Sequence, residues 1–191
     1  MSDRIEEIRS AMEARLSAES FAHCERTSDA AYELAEVYHV DPDQAQFAGL
    51  LHDWDRDTPK SELVAMASAN GSIQEFEMKH PKLLHARTGA ANVRKEYPDL
   101  PDDVYAAVER HTVGSANMSD LDKVVYIADM IEPGREWPGV EELRRCVGEV
   151  SLDQLFFLAY RASLENLLRR RKRLHPATVE VWNSLVAKDA K

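Results

Sequence analysis

Phe47-Ala48-Gly49-Leu50-Leu51-His52-Asp53 is the stretch from which the rest of this chain can be read. Its first five residues have the apolar character of a helix interior, and then two metal-competent polar side chains stand where more core is expected. An imidazole and a carboxylate buried together are costly unless each finds a partner. A metal ion partners both at once, so the doublet directs attention to other His and Asp residues on the apolar stripes of helices.

Four more positions meet that criterion. Val104, Ala107, Val108 and His111 fall at i, i+3, i+4 and i+7, placing His111 in line with the buried face of a helix. Leu121, Val125 and Asp129 succeed one another at i, i+4 and i+8, in a helix that Ser119 and Asp122 can start as a capping box with Asp in place of Glu. His23 heads a stripe of Thr27, Ala30, Ala31 and Leu34. His85 leads into Gly89 and Val93, the glycine being expected to let another element approach closely. One such polar residue alone is more often a hydrogen-bonded core residue than a ligand. Six in one chain would need six separate hydrogen-bonding solutions, which one or two cations replace. The gaps match no zinc-finger spacing. Of the other histidines, His39 stands at a helix end before Asp41-Pro42, where it complements the helix dipole. His80 and His175 each precede a proline, which pushes them toward extended backbone.

The 191 residues suffice for one sizeable core, and only seven are glycine. Stripes of 3.6-residue period recur, with no sustained apolar/polar alternation, so the predicted fold is all-α. A single compact domain over 1–191 is expected, of about nine helices near residues 3–17, 20–38, 42–53, 60–69, 73–79, 83–96, 101–111, 119–131 and a broken 140–187. Asp41-Pro42, Thr58-Pro59 and Asp99-Leu100-Pro101 each place a cap or turn residue beside a proline near a first turn, and Asn70-Gly71 ends a helix.

Met1-Ser2-Asp3-Arg4-Ile5-Glu6-Glu7 lacks a secretory profile and no apolar run reaches membrane-spanning length, so a cytoplasmic protein with no membrane partner is expected. Two isolated cysteines, Cys24 and Cys146, suit a reducing compartment. Cys24 reads as a small buried hydrophobe ahead of a ligand. The net charge of −10 argues against a nucleic-acid-coating surface. A small phosphorylated ligand is compatible with it, because bound dications reverse the local field. The basic run Arg169-Arg170-Arg171-Lys172-Arg173 reads as a solvated helix end ahead of a nucleic-acid or partner contact, with Leu164, Leu167, Leu168 and Leu174 expected to pack on the body.

The order His23, His52-Asp53, Asp129 resembles the HD-domain superfamily of metal-dependent phosphohydrolases, and His85 and His111 resemble the added ligands of its dinuclear members. A longer likeness runs from His111-Thr112 through Asn117-Met118-Ser119 and Val125-Tyr126-Ile127-Ala128-Asp129-Met130-Ile131-Glu132-Pro133-Gly134-Arg135 to Pro138-Gly139-Val140. With Leu84-His85-Ala86 and Gly89-Ala90, it is similar to the YqeK-type HD proteins, bacterial symmetrical diadenosine tetraphosphate hydrolases, over most of the chain. The resemblance implies a helical HD domain with a buried dinuclear site. Asp53 would bridge two divalent transition-metal ions, with His23, His52 and Asp129 completing one and His85 and His111 holding the other. Mixed imidazole and carboxylate donors suit iron, manganese, cobalt or zinc, and iron is the expectation.

The implied reaction is hydrolysis of a dinucleoside polyphosphate, diadenosine tetraphosphate giving two ADP through a metal-bridged hydroxide. Asp53 and Arg135 would be catalytic; Arg26, Arg56, Arg87, Thr112 and Arg135 would contact the nucleotide. Arg135 reads equally as a structural salt bridge near Glu132 or Asp129. Trp54 and Tyr126 read as core aromatics ahead of base-stacking platforms. The chain departs from the family at Ser20-Phe21-Ala22, where Arg-Tyr is usual, at Trp54-Asp55-Arg56-Asp57, where a lysine is usual, and at Ser115, where a basic residue is usual. These bear on substrate. Activity on another nucleotide, di-iron oxygenase chemistry and a noncatalytic nucleotide sensor therefore stay open, as does an oligomer.

Overall fold

The computed structural model describes residues 2–189; residues 1, 190 and 191, the outermost ends of the expected domain, lie outside the described residues. Among the described residues there is no strand, and no helix is long and apolar enough to cross a membrane. Helix α1 (Ser2–Arg15) gives way at Ser17, whose hydroxyl accepts the Ser20 N–H at 3.3 Å and starts α2 (Ala18–Tyr38). His39 ends α2 in the left-handed region, φ 57°, donating its backbone N–H to Ala35 O. Asp41 caps α3 (Pro42–Leu51) by accepting the backbone N–H groups of Asp43 and Gln44 at 3.1 Å, with Pro42 where a missing N–H costs nothing.

Next come α4 (Lys60–Ala69), α5 (Glu75–Lys79), a 3-10 turn at Pro81–Leu83, α6 (Leu84–Glu96) and α7 (Asp102–Arg110). The Ser119–Asp122 capping box starts α8 (Asp120–Ile131) as expected. The broken last span resolves into α9 (Val140–Arg145), α10 (Leu152–Arg169) and α11 (Pro176–Asp189), making eleven helices among the described residues. Its breaks fall at Gly148, φ 77°, ahead of a Ser151–Gln154 capping box, and at Arg171, φ 52°, ahead of His175-Pro176.

Helices α2, α3, α7 and α8 pack against one another, with α6 on α7 and α10 on α8. They share one apolar cluster that includes Leu50, Leu51, Val108, Ile127 and Phe156, each fully or almost fully buried. Every such side chain contributes about 1.5–3 kcal/mol by leaving water. Trp54 and Tyr126 belong to this cluster: Trp54 meets Tyr97 with ring centroids 5.8 Å apart, and Tyr126 meets Phe156 at 5.3 Å. Leu168 departs from expectation. It lies in the last turn of α10 and is 58% exposed.

The close approach expected at Gly89 occurs at Gly49. A Cβ on Gly49 would lie 2.9 Å from Ser28 Cα and 3.0 Å from both Ala31 Cβ and Thr27 O, so α3 rests almost backbone to backbone on α2. At Gly89 the nearest atom, Trp54 Cβ, would be 3.5 Å away, an ordinary contact. Gly49→Ala is therefore expected to destabilise the protein by about 1–3 kcal/mol through overpacking, outweighing alanine's better helix propensity. Gly89→Ala should be neutral or stabilising. Denaturant unfolding of the two variants checks this, and equal stability would contradict the contact.

Candidate metal centre

Each element of the inner group brings one or two polar residues to a common point. His23 comes early in α2, His52 closes α3, Asp53 follows in the next turn, His85 opens α6, His111 closes α7 and Asp129 sits in the last turns of α8. The turn carrying Asp53 is tied down from outside. Arg15 donates from Nε to Trp54 O at 2.6 Å and from Nη2 to the Asp55 carboxylate at 2.5 Å, and Asn92 Nδ2 adds a bond to Asp55 at 2.9 Å.

The two carboxylate oxygens of Asp53 face different histidines. Oδ1 lies 2.9 Å from His85 Nε2 and 3.5 Å from His111 Nε2. Oδ2 lies 3.4 Å from His52 Nε2 and 3.9 Å from His23 Nε2. Asp129 Oδ1 stands 3.0 Å from His23 Nε2 and 3.9 Å from His52 Nε2. Donor atoms of His23, His52 and Asp129 thus form one group within 4.8 Å, and those of Asp53, His85 and His111 form another. His52, Asp53, His85 and His111 are buried, whereas the Asp129 side chain retains 22% exposure.

Whether cations suit this cluster can be judged from the rings. Nδ1 of His52, His85 and His111 faces the backbone carbonyls of Gly49 (2.7 Å), Lys82 (2.5 Å) and Val108 (2.7 Å). A carbonyl only accepts, so each neutral ring carries its proton on Nδ1 and turns the Nε2 lone pair inward. There, lone pairs meet lone pairs: His85 and His111 Nε2 are 3.2 Å apart, as are His23 and His52 Nε2. Asp53 Oδ1 is buried without a hydrogen-bond partner. Positive charge must sit among these atoms, as protons or as metal cations, and the donor set fits divalent transition metals with their ligands held from behind.

The electrostatics agree. Burial pushes the Asp53 carboxyl up, but the facing rings of His52, His111 and His85 hold it well below the usual carboxylate range. Burial likewise opposes ionised Asp129, and its bond to His23 with the nearby charges of His52 and Arg135 outweighs it. Burial lowers the His23 pKa, yet Asp129 raises it above the ordinary value on balance. Cys24 lies close to His52 and Asp53. Burial pushes its thiol pKa well up.

Arg135 donates from Nη2 to Asp129 Oδ1 and from Nε to Asp129 O at 2.7 Å, and its Nη2 is 3.2 Å from His23 Nε2. Arg56 Nε lies 3.7 Å from Asp53 Oδ2 with half its side chain exposed. Thr112 follows His111 and is half-buried. Arg26 is engaged with Glu132, and Arg87 with Ser72 O at 3.2 Å and Glu77 at 3.6 Å, apart from the histidine cluster.

Glu132 is the residue the sequence reading passed over, naming it only as a salt-bridge partner. Almost completely buried, it accepts from Arg26 Nε at 2.5 Å and from Gly134 N at 2.5 Å, and it lies 3.1 Å from His23 Nδ1. It is thus to His23 what backbone carbonyls are to the other rings. Burial raises its pKa, but the Arg26 and Gly134 bonds hold it below the ordinary glutamate value. The sequence carried a signal: an acid at a helix C-terminus opposes the dipole and needs a reason to be there.

Residues 20–134 match the family model described as HD domain. The chain is 30% identical to the symmetrical bis(5'-nucleosyl)-tetraphosphatase of Bacillus subtilis, covering 95% of this chain and 97% of that protein. It is 31% identical to the protein of the same name from Halalkalibacterium halodurans, over 87% of this chain and 88% of the other. Among solved structures, it superposes on a crystal structure described as a predicted HD superfamily hydrolase involved in NAD metabolism from Clostridium acetobutylicum. There the TM-score is 0.89 and the identity 31%, with 96% of this chain and 97% of the other covered.

Glu132→Gln keeps the side chain's volume but removes the charge behind His23. Divalent-metal affinity is expected to fall about 10–100-fold, the usual effect of losing an outer partner of a ligand. Competition with a chromophoric chelator measures it, and unchanged affinity would show that His23 needs no such support.

Proposed function

The chain belongs to the HD-domain family and, within it, to the symmetrical bis(5'-nucleosyl)-tetraphosphatases, and from this we propose that it hydrolyses diadenosine tetraphosphate at the middle anhydride to two ADP. The observation that carries the reading is the division of Asp53: one oxygen toward His85 and His111, the other toward His52 and His23. In the proposal His23, His52, Asp129 and Asp53 would hold one divalent cation, and His85, His111 and Asp53 would hold a second, with iron the preferred metal and manganese, cobalt or zinc the alternatives. Such a pair, when bound, supplies Lewis acidity that activates water and neutralises charge on a phosphoryl group.

The remaining work falls to the chain's own groups. Water adds to one of the two middle phosphorus atoms, the bridging P–O bond breaks, and the departing ADP takes the bonding electrons while the water's proton passes to solvent. Arg135 is held against Asp129 with its side chain 36% exposed, so it can donate to a polyphosphate oxygen beside the cluster. Arg56 offers a second cation near Asp53, and Thr112 a hydroxyl beside His111. Arg26 acts indirectly by fixing Glu132, and Arg87 is engaged with Ser72 O and Glu77. Residues 1–191 are taken as one domain acting in the cytoplasm on a nucleotide.

Metal-loaded protein incubated with diadenosine tetraphosphate should yield ADP as the sole nucleotide product on chromatography. AMP with ATP, or no turnover, would overturn the proposal. Asp53→Ala should lose both metal and activity while keeping its helical circular dichroism. His39→Asn, which preserves a left-handed cap, should keep both. Elemental analysis of the two proteins decides whether Asp53 carries the metals.

A further inference from the structure

A groove leads away from the metal centre. Between the segment after α8 and the last turns of α10 lies a cavity of about 330 Å³, with Asp129 and Arg135 at its inner end, Trp137 and Ala162 on its walls, and Asn166 and Arg169 at its outer end. That volume lies at the small-ligand end of the range for binding pockets. It suits one nucleoside, not a whole dinucleotide.

We propose that this groove is a nucleoside subsite, in which one base of the substrate stacks on Trp137 and meets Asn166 at its edge while its phosphates pass Arg135 to the cluster. The assignment rests on the hydrolase reading above.

Trp137 is built as a platform. Its Nε1–H, the ring's single donor, bonds Met130 O at 2.8 Å, so the indole has no polar group left to offer and presents a face. Gly139 makes room for it: φ there is 103°, and a Cβ would stand 3.2 Å from the indole Cζ3. Trp54 and Tyr126 are committed to the core, whereas Trp137 is only partly buried and borders the same cavity as Asp129. The Asn166 amide both donates and accepts, the pairing that an adenine edge takes from an asparagine. Its Oδ1 accepts from Arg169 Nη2 at 3.1 Å, which orients it. The lining carries two guanidinium groups, Arg135 and Arg169, beside the carboxylates of Asp129 and Glu165, and Arg169 opens the basic run that reads from sequence as a solvated helix end. The positive charge of that run favours the approach of a polyanion.

The test is calorimetric titration of the manganese-loaded full chain with ADP and with methylenediphosphonate, a diphosphate analogue lacking a nucleoside. Ala162→Phe fills the groove and is expected to weaken ADP at least tenfold while methylenediphosphonate affinity stays within twofold. Asn166→Ala, at no cost in helix propensity, is expected to weaken ADP about fivefold or more. Unchanged ADP affinity in both variants, or an equal loss for the two ligands, overturns the subsite while leaving dinucleotide cleavage by the wild type intact. A wild-type protein that binds neither ligand and cleaves no dinucleotide overturns the hydrolase reading and the subsite together.

Discussion

Four imidazoles and two carboxylates share a small volume from which water is largely excluded, and the packing of the inner helices is arranged around satisfying them. Each unpartnered buried polar atom costs about 1–3 kcal/mol, so an assembly of facing lone pairs would be untenable without positive charge within it. The fold answers from both directions. Backbone carbonyls of Gly49, Lys82 and Val108 fix three rings from behind, and Asp53 turns one oxygen to each half of the cluster. Those three carbonyls lie three residues before their histidines, so the helix ends themselves orient the rings.

Support reaches the cluster from more distant parts of the chain. Arg15, at the end of α1, holds the turn after Asp53 through Trp54 O and Asp55. Arg144, from α9, donates to Ile131 O at 2.9 Å and Glu132 O at 2.6 Å, satisfying carbonyls at the end of α8 just where Glu132 turns back to His23. Gly49 completes the arrangement by letting α3 settle on α2, which brings His52 against His23. Helix ends, arginine clamps and a missing methyl group are therefore parts of one solution.

What the sequence reveals follows from which features are local. Caps at Asp41 and Ser119 and the stripe Val104-Ala107-Val108-His111 depend on residues a few positions apart, so the helices through α8 and the six polar intrusions can be read from periodicity. The last span was harder because its breaks rest on single backbone conformations at Gly148 and Arg171. Gly89 and Gly49 look alike in sequence, and only the crossing of α2 and α3 tells which must lack a side chain. Glu132 and Trp137 also escaped, since their meaning comes from partners: Arg26 and His23 for one, Met130 O and the α10 groove for the other.

His23 and Glu132 touch across 109 residues of chain, while His85 and His111 are separated by 26. The cluster is closed only when α2, α3, α6, α7 and α8 are docked. Any cation that binds the closed cluster and not the open chain stabilises the native state by mass action, with a gain that grows as the logarithm of its concentration over its dissociation constant. With a cation bound, the centre would fasten the fold as well as serve the proposed reaction. Metal supply would set how long the protein survives unfolding and proteolysis, independently of how fast it turns over substrate.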